Sequence, residues 1–188
     1  MRTLNIKKIF IALAMLAAAG AHAGAKVVGV EIGVSTVEQV RQVAAAAGKV
    51  QNMGTNELTK GVMFGVTNPD VGIEGVSAIL FVFDQAGKLV GVGMRLPSMK
   101  SMQDLEKKRF DEMDAMLAEK YKRTKKVRPF VGDRFARYSA PDTVIELDAP
   151  HLSNEMNLSY RTPAFVQLEN IGLKAQAQDK RTTEKSRL

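Results

Sequence analysis

The sequence predicts an α+β protein, an antiparallel β-sheet with helices packed on one face. Three observations carry this. "STVEQVRQVAAAAGK" (35–49) opens on a helix cap and repeats apolar residues at helical spacing. "GVSAILFVFDQAGKLVGVGMRL" (75–96) holds two apolar runs around a turn, the mark of a β-hairpin. Three later runs, at 134–138, 143–149 and 155–161, read as further strands, and the last two alternate as strands do when one face meets water.

The first 23 residues read as a secretory signal peptide. Arg2, Lys7 and Lys8 precede an apolar stretch from Ile9 to Ala19, and Ala21-His22-Ala23 is a small-residue cleavage site. That stretch falls short of the roughly 20 apolar residues that span a bilayer. Cleavage after Ala23 and a periplasmic destination are therefore expected. No cysteine occurs, which excludes a lipoprotein anchor, disulfides, thiol catalysis and cysteine metal sites. What remains suits a single domain over 24–172 with its own core. The polar, basic tail 173–188 has too little apolar content to bury and is expected to be frayed or disordered. The net charge of +7 is misleading, because three of those charges sit in the signal and a net three in the tail. A nearly neutral body is not the profile of a nucleic-acid binder.

The elements follow in order. "KVVGVEIG" (26–33) is a β-branched first strand. Ser35 with Glu38 forms a capping box, and Val37, Val40, Ala44 and Ala47 line one helix face up to a stop at Gly48. "GVMFGV" (61–66) is a strand among turn-rich neighbours. In the hairpin, Ile79, Phe81 and Phe83 share one face and Ala78, Leu80 and Val82 the other, so this strand is covered on both sides. Residues 101–121 form a helix capped by Ser101, with Phe110, Met113, Leu117 and Tyr121 as its apolar stripe. Its end carries a run of cations that suits the helix dipole. Thr162-Pro163 opens a last helix with Phe165, Val166, Leu168 and Ile171 as its apolar residues. No internal repeat stands out.

Chemistry is poorly served. His151 is the one histidine left after signal removal, so paired-histidine zinc sites are out, and it reads as the end of a strand. Glu146 and Asp148 share a strand face, which reads as a solvated surface before it reads as a hydrolytic pair. Asp111, Glu112 and Asp114 are expected to pair with Lys and Arg along their own helix. "GVGM" (91–94) is a lone glycine pair on a strand, and packing room for a neighbouring element explains it. No catalytic residue, metal site or cofactor is predicted.

Binding is better served. Lys122, Arg123, Lys125, Lys126, Arg128, Arg134 and Arg137 form a basic cluster that suits an acidic protein partner or an anionic lipid surface. Met63, Phe64, Met94, Phe110, Met113 and Met116 offer an alternative, an apolar cavity between sheet and helices for a small ligand or lipid.

Two stretches resemble a known group. "IGVSTVEQVRQVAAAAGKV" is similar to the opening G-x-S/T-x-x-x-V-x-x-x-L-G, and "LFVFDQAGKLVGVGM" to the V-x-F-x-F-D-x-x-G-K-L-x-x-V hairpin, of the SmpA/OmlA and β-lactamase-inhibitor-like periplasmic domains. The resemblance covers about residues 24–96. It implies a non-catalytic protein that binds another periplasmic or outer-membrane protein, in assembly, as a scaffold or as an inhibitor. The lipid-anchoring cysteine of the assembly proteins is missing here, and no binding residue carries across.

Overall fold

The structure is a computed structural model that describes residues 24–97, 103–153 and 155–187. The signal-peptide reading and the Ser101 cap lie outside these residues. The α+β class is as the sequence predicts. An eight-stranded antiparallel sheet carries the molecule, in the order β3-β4-β5-β6-β10-β9-β8-β7.

The chain begins with a small hairpin, β1 (Lys26–Val27) and β2 (Val30–Glu31). Residues 26–33 are thus two short strands where one was expected. Val28 and Gly29 have φ of 44° and 81°, and that pair of left-handed residues turns the chain tightly back on itself. Helix α1 (Val37–Ala47) follows. Its cap is one residue later than expected: Thr36 accepts from the Gln39 N–H and Gln39 returns the bond to the Thr36 N–H. Ser35 instead accepts from the Glu31 N–H at 2.9 Å. Val40 and Ala44 are the buried residues of α1.

Strands β3 (Val50–Thr55), β4 (Lys60–Thr67), β5 (Ala78–Asp84) and β6 (Leu89–Pro97) make a meander. Helix α2 (Gln103–Lys120) then leads into a second meander, β7 (Lys122–Val127), β8 (Arg134–Ala140), β9 (Thr143–Ala149) and β10 (Glu155–Arg161). The architecture is therefore a helix followed by four strands, twice over. The two last strands, β6 and β10, pair antiparallel at the centre, with Met94 opposite Leu158 in the middle of the seam. This repeat was invisible in the sequence, because the halves share their order of elements and not their residues. Two of the strands were also unread. Residues 122–127, which read as the cationic end of the helix, form an edge strand with every residue exposed.

Helices α1 and α2 cover one face. Phe64, Phe81, Val92, Met94, Tyr138, Ile145, Leu147 and Leu158 point toward them and join Val40, Ala44, Phe110, Met113 and Leu117 in one continuous core. The first hairpin fits on the same side, adding Val27, Val30 and Ile32. It is tied to the second half: the Ala25 N–H donates to Thr143 Oγ1 at 3.0 Å, and the Tyr121 hydroxyl to the Lys26 carbonyl at 3.4 Å.

Helix α3 (Pro163–Lys185) is capped by Thr162 and crosses the opposite face. Val82 and Phe165 are buried there, outside the main core. A side chain at Gly91 would put its Cβ 2.8 Å from the Phe165 ring, so Gly91 provides the space the ring occupies. The expectation of packing room at the 91–93 glycines is met at this position. Beyond Gly172 the helix continues to Lys185 with each residue exposed, where composition alone predicts fraying.

Candidate functional site

The open face of the sheet is built from the residues that alternate with the core. The pairings Gln51–Gly65, Gly65–Leu80, Leu80–Gly93, Gly93–Ser159, Ser159–Glu146, Glu146–Arg137 and Arg137–Lys125 set one unbroken row across the eight strands. From Gly65 to Ser159 the row is small or apolar, and from Glu146 to Lys125 it is charged. A groove of about 400 Å³ lies over the small and apolar part, floored by Gly65, Ala78, Gly93 and Ser159 beside Met53 and Leu80. A Cβ added at Gly93 would meet nothing within 4 Å, so the floor is uncovered at that position.

Helix α3 walls this face on one side. A second, larger groove of about 680 Å³ runs along the wall, lined by Leu58, Met63, Val166 and Leu173 and by the charged ladder beneath them. In that ladder Glu146 accepts from Arg137 and Arg161, and Arg161 also donates to Glu169 on α3 at 2.5 Å. The ladder fastens the wall to the floor. The Phe135 ring sits on the same face, with Lys125 and Arg137 each 5.6 Å from its centroid.

The basic cluster does not form one surface. Strand alternation divides it. Arg123 and Lys126 turn toward α2 and bind Asp114 at 2.9 and 2.5 Å, and Arg128 binds Asp111. Arg134 is buried. Arg137 and Lys125 belong to the open face, and Lys122 is exposed at the start of β7. The acids of α2 divide in the same way. Glu112 does pair along its helix, with Lys108 and Arg109, whereas Asp111 and Asp114 reach across to the strand region beyond it.

Asp114 is the deepest of these charges, 2% exposed. Burial pushes its carboxyl up, but the Lys126 and Tyr138 hydrogen bonds and the Lys126 and Arg123 charges outweigh it, and the pKa falls below the ordinary value. The Tyr138 hydroxyl that donates to Asp114 is raised, by burial first and by that carboxylate second. Asp148 is raised by burial and by the neighbouring Asp133. Of the two carboxylates that share a strand face, Glu146 is thus neutralised by two guanidiniums and Asp148 faces another acid. His151 follows the end of β9, and its main-chain N–H donates to Asp133 Oδ1 at 2.8 Å, which ties the loops on either side of β8–β9 together.

The proposed apolar lining is also divided. Phe64, Met94, Phe110 and Met113 are closed core, Met63 lies on the opposite face, and Met116 is 53% exposed. These six residues do not line one cavity. What the sequence could have shown of the open face is limited to the small residues of β4 to β6, which carry no signal until their neighbours in the sheet are known. No helix among the described residues is long and apolar enough to cross a membrane. No protein-family model, curated protein or solved structure matches the chain.

Proposed function

We propose that this is a non-enzymatic envelope protein that binds another protein on the open face of its sheet, in the periplasm. The observation that carries the reading is the small-residue floor of Gly65, Ala78 and Gly93, open to solvent space at Gly93 and bounded by α3 and by the Lys125–Phe135–Arg137 cluster. A wide face with an apolar, small-residue centre and a charged rim has the layout of a protein interface. The resemblance of 24–96 to protein-binding periplasmic domains points the same way. The fixed geometry of the ladder supports recognition without rearrangement.

The test is a comparison of captures from crosslinked periplasm. The tagged protein is expected to retain one dominant envelope protein. Gly93→Arg should lose it while keeping its thermal midpoint, because the added side chain enters open space. Lys122→Ser, on β7 away from the floor, should keep it. A partner retained equally by Gly93→Arg would refute the open-face assignment.

A further inference from the structure

The two ends of the sheet are treated differently. β7, at one edge, carries four cations in six residues, Lys122, Arg123, Lys125 and Lys126. Charged side chains of this kind block pairing with another strand. β3, at the other edge, is Val-Gln-Asn-Met-Gly-Thr and carries no charge and no proline. Five of its six residues are exposed. Around it lie three more signs of an unfinished surface: Met53, Leu58 and Val62 of the β3–β4 hairpin are 53%, 40% and 42% exposed. Exposed apolar side chains grouped on one element mark an interaction site.

We infer that two copies of this chain pair through β3, edge to edge and antiparallel about a two-fold axis. The occupant follows from charge. Pairing β7 with β7 would set four cations against four, whereas β3 against β3 brings no like charges together. The nearest charges bracket the strand with opposite signs, Lys49 before it and Glu57 after it. Antiparallel pairing puts the Lys49 end of one copy beside the Glu57 end of the other, at both ends of the contact. The molecule already contains this relation, since β6 and β10 close its own seam antiparallel as the last strands of two like halves. The β3 bulge between Asn52 and Gly54, where Asn52 Oδ1 accepts from the Gly54 N–H, consumes one edge donor and fixes which part of the strand is left to pair.

The axis of such a pair stands perpendicular to the sheet. Both open faces then lie on the same side, and the floor beside β3 doubles in width. The inference goes beyond the proposed function and is tested apart from it. Sedimentation equilibrium of the purified protein, over a concentration range reaching about 200 μM, is expected to show a monomer–dimer equilibrium with a Kd of order μM. Met53→Lys and Gln51→Lys each place like charges across the two-fold and should shift the protein to monomer, at unchanged circular dichroism. Lys125→Ser should leave the dimer intact. A monomer at the highest concentration overturns the inference. So does a dimer that survives both β3 substitutions, or one that Lys125→Ser abolishes.

Discussion

At the scale of single residues, Asp114 shows how a charge can be structural. It sits on α2 where the sequence suggests a surface acid, yet it is nearly sealed and holds Arg123, Lys126 and Tyr138. Its two cationic partners were unreadable because they stand on β7, a strand whose residues resemble a helix end. Asp114→Asn keeps the shape and removes the charge. The two cations are about one-third exposed and can turn to water, so the cost is that of charged hydrogen bonds, about 2 kcal/mol in urea unfolding at pH 7. The pH dependence has a defined sign. Because the folded pKa is lowered, the contribution is complete above about pH 4 and is lost as pH falls through the folded value. Wild type and Asp114→Asn should therefore converge in acid. A gap that stays constant from neutral pH down to about pH 2 would sink this account. Asp148 acts in the opposite sense, since its raised pKa favours the folded state only while it is protonated, an effect that fades as pH rises.

At the scale of elements, burial decides what a sequence reveals. α1, β5, β6, β9 and β10 each bury alternate or helically spaced apolar residues, and each was legible as an element. β3 and β7 are edge strands with little or nothing to bury, so periodicity had no signal there. The open face suffers from the same blindness, since a glycine floor is no different from any other glycines until strand register aligns Gly65 with Gly93 across Leu80. Helix α3 divides into two parts with different support. Its first turns are held by the Thr162 cap, Phe165 and the Arg161–Glu169 bond. Once such a nucleus exists, further turns propagate at little cost, which accounts for an exposed helix of polar composition. Deleting 174–188 should lower the helical dichroism and move stability by less than about 0.5 kcal/mol. Phe165→Ala should cost about 3 kcal/mol by emptying the pocket over Gly91. Equal effects of the two changes would contradict this division.

At the scale of the whole molecule, the two helix-and-four-strand halves share one core and a seven-pair seam between β6 and β10. Neither half closes its sheet edge or covers its core alone, so they should unfold together. The chain offers a natural probe. It has no tryptophan, and its three tyrosines, Tyr121, Tyr138 and Tyr160, all lie in the second half. Tyrosine fluorescence therefore reports that half, and far-ultraviolet dichroism reports both. The two urea transitions should superimpose. A tyrosine transition displaced from the dichroism transition would mean that the halves are separate units.

The bond from the Ala25 N–H to Thr143 Oγ1 has a consequence in time as well as in space. It joins positions 118 residues apart. A polypeptide made or threaded from its N-terminus carries its first hairpin as a loose end for most of its emergence, since the hydroxyl that receives it arrives late. The central seam waits longer still, because β10 is the last strand to appear. Completion of the fold is thereby deferred until nearly the full length is present, and a chain that must first pass a narrow channel stays threadable for as long as that takes.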